Sequence, residues 1–169
     1  MISASYLQQM AGYNHRQNQS LYREADLLSE EQRREDRGVF FGSIHRTLCH
    51  ILTADHIWMS RFDNWDMPDV RGGKSPDWIT GWAELKDVRQ TSDDRLPQWG
   101  ERIKDTDLQG DLTWQSGIAG EDDSAPTWAL VTHMFNHQTH HRGQVHGMLT
   151  GFGMVPDETD FEFMPLSGT

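Results

Sequence analysis

The apolar residues of this chain recur largely at the three- and four-residue spacing of amphipathic helices, and they gather into four stretches. The first runs from about Ser3 to Leu28, with Leu7, Met10, Ala11, Leu21, Ala25 and Leu28 on its apolar face and a polar interruption from Asn14 to Gln19. The charged run Glu30 to Arg37 reads as a solvated connection. The second stretch, about Val39 to Phe62, is apolar on more than one side, through Phe40, Ile44, Leu48, Ile51, Ala54, Ile57, Trp58 and Phe62, and so predicts a buried helix. A loop from Asn64 to Lys74, containing Pro68, Gly72 and Gly73, ends in a helix-start signal at Ser75 and Pro76.

The third helix then carries Trp78, Trp82, Leu85 and Val88, with a kink or break expected between about Asp93 and Pro97 because proline clashes with the preceding turn. Leu108 to Pro126, with Gly110, Gly117 and Gly120, reads as an irregular connection holding a short extended piece at Leu112 to Trp114. The fourth helix is predicted to start near Ser124 to Thr127, with Ser124 as cap and Pro126 in the first turn, and to end at Gly151 and Gly153. The tail from Met154 to Thr169, with Pro156 and Pro165, shows no period. Amphipathic helices joined by long loops, without a strand pattern of note, predict one all-α domain over residues 1–169.

Composition narrows the functional classes. The 169 residues carry 15 Lys plus Arg against 26 Asp plus Glu, a net charge of −11, which argues against nucleic acid and against anionic membrane surfaces as partners. Mean hydropathy is low, at −0.73, but seven Trp, seven Phe and eight Met supply the bulk that a folded core needs. No apolar run is long enough to span a membrane, and Met1 to Gly12 lacks the form of a signal peptide, so a cytoplasmic protein is expected. Cys49, the single cysteine, reads as a small packed core residue.

Histidine is the outlier, with nine in all and five between His133 and His146. At about 100° per residue, His137 and His141 fall roughly 40° apart and one turn apart along the fourth helix, so two imidazoles can address one ion. Leu130, Met134 and Met148 share that sector, which should therefore face inward. Neutral imidazole suits zinc, nickel, copper and iron, and an i, i+4 pair usually takes its third ligand from another element. His50 on the second helix is the obvious donor, with Ser43, Thr47, Ala54 and Ile57 on its face. Taken alone, such a pair is weak evidence for a metal. His133, His140 and His146 read as capping, surface or supporting residues, while His15, His45 and His56 read as structural. Asp55 lies about 140° from His50 around the helix and points elsewhere. Gln144 and Asn14 read equally as polar lining or as helix-to-helix hydrogen bonds.

The segment Thr132 to Thr150, THMFNHQTHHRGQVHGMLT, resembles the C-terminal signature of the DinB family of DinB/YfiT-like metalloenzymes. Gly38 to Phe62, GVFFGSIHRTLCHILTADHIWMSRF, is similar to that family's second helix. Tyr13, Asn14, Asn18 and Leu21 look like its first helix, and Thr159 and Asp160 like its tail. The resemblance implies an up-down-down-up four-helix bundle, often a homodimer, with a divalent metal, zinc or nickel, held by His50, His137 and His141.

Three imidazoles leave an ion with an open position, the pattern of a catalytic centre, and a net charge near 2+ that favours an anionic ligand such as thiolate or carboxylate. The expected function is therefore a metal-dependent enzyme acting on a small molecule by hydrolysis or thiol transfer. The alternative is a noncatalytic metal-binding bundle, linked to stress or damage response, in which the ion staples two helices. On the fourth helix Trp128, Val131, Phe135 and Leu149 form a second apolar sector expected to pack on a partner helix, within the chain or across a two-fold dimer interface.

Overall fold

Ser3 starts the first helix: its hydroxyl accepts a hydrogen bond from the Tyr6 N–H at 3.2 Å, satisfying one of the free amides of the first turn. In this computed structural model, which describes residues 1–70, 72–115 and 122–160, the chain is mostly helical. Its α-helices among the described residues are α1 (Ala4–Asp26), α2 (Glu30–Arg34), α3 (Ile44–Phe62), α4 (Trp82–Arg102) and α5 (Thr127–Gly151). Two antiparallel strands, β1 (Asp111–Gln115) and β2 (Asp122–Pro126), pair with Leu112 opposite Ala125 and Trp114 opposite Asp123. α1 packs on α4 and α5, and α3 packs on α5.

The interior of the four long helices holds two apolar clusters. One contains Leu21, Ala25, Ile44, Leu48, Leu52, Leu85, Val145 and Leu149; the other contains Leu7, Ala11, Met59, Leu96, Trp99, Val131 and Phe135. On every long helix the residues between the two are polar and buried: Asn14 and Asn18 on α1, Asp55 on α3, Arg89 and Asp93 on α4, Gln138 on α5. They close a ring. Asn14 donates to Gln138, Gln138 donates to Asp55, Arg89 reaches Asp55 at 2.6 Å and Asp93 at 2.8 Å, and Asn18 donates to Asp93 at 2.8 Å. The polar interruption of the first helix is thus its share of a buried network that pairs most of its polar atoms and leaves Asn14 Oδ1 and Arg89 Nε without a hydrogen-bond partner.

The sequence predicts a kink or break near Pro97; there is no break, and α4 continues through the proline to Arg102. A proline there removes the amide that would bond to the carbonyl four residues back, that of Asp93. The imidazole of His15 on α1 takes that place, donating from Nδ1 to the Asp93 carbonyl at 2.9 Å. His15→Ala should therefore cost about 1–3 kcal/mol, the penalty of leaving a buried acceptor unpaired. Pro97→Ala, which restores a helical amide, should reduce that cost. Urea unfolding of the single and double variants measures both effects, and equal costs in the two backgrounds would contradict this account.

Other boundaries differ from the sequence reading. The charged run is not simply solvated: Ser29 and Gln32 form a capping box on α2, and the buried Arg33 donates to the Ala25 and Leu28 carbonyls at the end of α1. α3 begins at Ile44, capped by Ser43, so Val39 and Phe40 lie outside it in a tight turn. Ser75 and Pro76 do not start the third helix; they belong to a 3-10 turn, Gly72–Asp77, and Trp78 precedes α4. Ser124 lies in β2 and caps nothing, and Pro126 immediately precedes α5. The α5 sector of Trp128, Val131, Phe135 and Leu149 packs within the chain, as one of its two readings allowed: the last three are fully buried and Trp128 is partly buried against the same interior, so Val131, Phe135 and Leu149 are not free for a dimer contact. Gly117, Gly120 and Pro165 lie outside the described residues. Among the described residues no helix is long and apolar enough to cross a membrane.

Candidate metal centre

His50 stands on α3 and His137 and His141 on α5, on the faces that these two helices turn toward each other. The spacing of the α5 pair brings their rings edge to face, with centroids 4.5 Å apart and planes at 69°. His50 meets both, at 4.9 Å and 4.7 Å between centroids. The Nε2 atoms of His50 and His137 are 3.0 Å apart, and one ring nitrogen from each of the three residues lies within 4.8 Å of the others.

Neighbouring side chains fix how the rings are presented. Ser75 Oγ lies 2.7 Å from His50 Nδ1, and the backbone carbonyl of Ser75 accepts from Thr53 on α3, which holds the 3-10 turn against that helix. Gln144 Oε1 lies 2.8 Å from His141 Nδ1, while its amide nitrogen faces His140 Nε2. A carbonyl oxygen can only accept, so His141 carries its proton on Nδ1 and keeps its Nε2 lone pair free. The ring of Phe41 lies 3.9 Å from that of His50 and 5.3 Å from that of His141, closing one side of the cluster.

Burial holds all three histidines below their ordinary basicity. It pushes His50 down to about 3 and His137 to about 4, with the charges of the neighbouring imidazoles adding to the effect, and it lowers His141 as well. At neutral pH the cluster is therefore three neutral rings with convergent nitrogens. That donor set fits a divalent transition metal in number, chemistry and protonation state. A cleft of about 760 Å³ reaches His50, with Ser75 and Phe41 also in its walls.

The comparisons with known proteins agree with this architecture. A family model described as the DinB family matches residues 1–167. The chain belongs to the DinB family. A DinB-like protein from Bacillus cereus, known from a crystal structure, superposes with a TM-score of 0.61 at 18% identity, covering 85% of this chain and 90% of the other. No curated protein matches the chain.

Among DinB features expected from the sequence, the structure brings His50, His137 and His141 together. His133 stays exposed, its ring against Trp58 at 5.5 Å, and His140 is exposed beside His141. His45 and His56 are held elsewhere, by the Ile79 carbonyl and by Ser92. Cys49 is buried in an apolar cluster, and burial raises its thiol. Asp55 faces Arg89 and Gln138 rather than the histidines. Gln144 supports His141 as one of its two readings allowed, whereas Asn14 bonds to Gln138 between helices. Ser75 and Phe41 were missed. Ser75 and Pro76 have the form of a helix start, and Phe41 falls inside an apolar stretch that reads as helix, although Gly38 and Gly42 bracket it as a turn would.

Proposed function

We propose that this DinB protein binds one divalent transition metal, zinc or nickel, through His50, His137 and His141, and acts as a metal-dependent enzyme on a small molecule. The observation that carries the reading is the convergence of three neutral imidazoles beside a cleft of about 760 Å³. When bound, such an ion supplies Lewis acidity, favouring the anionic form of a thiol, a carboxylic acid or water in the cleft. The chain's own residues do the rest: three rings hold the ion, Ser75 and Gln144 orient two of them, and Phe41 keeps water from one side. Thiol transfer and hydrolysis are the two reactions this arrangement suits.

The same reading takes the long helices as an up-down-down-up four-helix bundle forming a single domain over residues 1–169. It is supported by the order of contacts: α1 and α5 enter at the cluster of Leu7 and Phe135 and leave at that of Leu21 and Leu149, whereas α3 and α4 run the other way. Family resemblance adds a homodimer, and the lone buried thiol of Cys49 agrees with a cytoplasmic location.

A noncatalytic staple joining α3 and α5 is the competing reading, favoured by the fact that the three donors come from these two helices. Chelation separates the two. The two apolar clusters span all four long helices without needing a bound ion, so the metal-free protein should keep its far-UV helical spectrum. An ion present at 100 times its Kd adds about 2.7 kcal/mol, so chelation should lower Tm by roughly 5–11 °C for a chain of this size. Loss of the helical spectrum on chelation would instead support the staple.

A further inference from the structure

Beside the three histidines the chain makes a turn whose construction goes beyond connecting α2 to α3. Residues 38–42, Gly-Val-Phe-Phe-Gly, begin and end in glycines with φ of +72° and +82°, left-handed angles that other residues adopt only at a cost. The Arg37 N–H donates to the Gly42 carbonyl at 2.7 Å, the Gly42 N–H to the Val39 carbonyl at 2.8 Å, and the Gly38 N–H to Asp36 Oδ1 at 2.9 Å. Arg46 on α3 donates from Nε to the Phe41 carbonyl at 3.2 Å and pairs through its other end with Asp77, in the 3-10 turn that holds Ser75. One guanidinium therefore fastens both walls of the cleft.

The two phenylalanines of this turn have different positions. Phe41 lies against His50 and His141, whereas Phe40 is 83% exposed and meets Phe41 edge to face at 4.9 Å. A phenyl ring left in water forfeits the hydrophobic gain of burial, and the bonds on both sides of Phe40 keep it from folding back onto the core. Phe40 lines the same cleft as His50 and Ser75. A molecule whose donor atom faces the histidines and whose other end extends along that wall crosses Phe41 and then meets Phe40, two ring-to-ring contacts from His50.

We propose that the turn Gly38–Gly42 is the specificity element of the centre, and that the substrate is a small thiol or carboxylate bearing an apolar, ring-sized group that rests on Phe40. The inference rests on the metal-site reading above. An aromatic contact of this kind, with the apolar area it buries, corresponds to a preference of about tenfold for a ring-bearing ligand, equal to about 1.4 kcal/mol.

The test uses cobalt-loaded, tag-free protein titrated separately with ethanethiol and phenylmethanethiol, read by the thiolate-to-cobalt charge-transfer band. The expected result is about tenfold tighter binding of phenylmethanethiol, a ratio that falls toward one in Phe40→Ala and persists in Leu27→Ala, which removes an exposed apolar side chain elsewhere. Because a ratio is read within each variant, loss of overall affinity does not imitate the effect. Equal binding of the two thiols by the wild-type protein overturns the proposal. So does a preference unchanged in Phe40→Ala, whether or not that substitution alters the oligomeric state. The cobalt content of the same samples identifies the other failure: no uptake overturns the metal-site reading along with this one, whereas full uptake without the preference overturns this one alone.

Discussion

Replacing His137 with alanine is expected to abolish stoichiometric retention of a divalent metal while leaving the protein folded. His137 supplies the nitrogen that sits 3.0 Å from His50 Nε2, and its ring belongs to neither apolar cluster. Its loss leaves two donors, fewer than the three that sites with an open position ordinarily require. The measurement is metal content after dialysis against buffer, paired with far-UV circular dichroism. Undiminished metal in a folded variant would contradict the assignment.

The same substitution has a signature without metal. In the metal-free protein, burial first and the neighbouring imidazoles second hold His50 at about 3 and His137 at about 4, below the ordinary imidazole value near 6.5. Between those values the unfolded chain binds protons that the folded chain does not. The unfolded state is therefore favoured by acid, and wild-type stability should fall as pH drops from about 6.5 toward 4. His137→Ala removes one such ring and relieves His50 of a like charge, so its loss of stability in that window should be shallower. Urea unfolding of both metal-free proteins at pH 7 and pH 5 tests this, and parallel losses would contradict it.

The second large effect lies in the buried polar ring. Arg89 and its two partners, Asp55 and Asp93, have side chains only 3–4% exposed. Removing one member of such a group leaves uncompensated charge in the interior, so Arg89→Met should cost about 3–5 kcal/mol. Burial already pushes the Asp93 carboxyl up, and Arg89 opposes that push. Without the guanidinium the carboxyl rises further, and the folded variant then holds a proton that its unfolded chain releases. Its deficit relative to wild type should therefore be larger at pH 8 than at pH 5. A cost below about 1 kcal/mol in urea unfolding, the level of an exposed ion pair, would show that the ring does not carry this part of the fold.

What could be read from the sequence follows the reach of each interaction. His137 and His141 stand one helical turn apart, and His50 lies mid-helix on a stretch of clear period, so local geometry was enough to select all three. The capping box of α2 was also legible, as Ser29 three residues before Gln32, but the density of charge around it suggested solvent. The uninterrupted helix at Pro97 is not legible locally because the carbonyl that the proline leaves free, that of Asp93, is met by His15, 78 positions before it in the chain. Asn14 and Asn18 looked like a defect in α1 for the same reason, since their partners stand on α5 and α4. The second strand was missed because Asp122 to Pro126 has none of the β-branched or aromatic residues that mark strands, and its pairing with β1 is decided by the partner.

X-ray absorption at the metal edge of zinc-loaded protein purified without a histidine tag tests the centre most directly. The expected spectrum shows three imidazole nitrogens at about 2.0–2.1 Å, one of them lost in His50→Ala. A spectrum with fewer than three imidazoles, or one that His50→Ala leaves unchanged, would place the metal elsewhere and remove the basis for chemistry at this cluster.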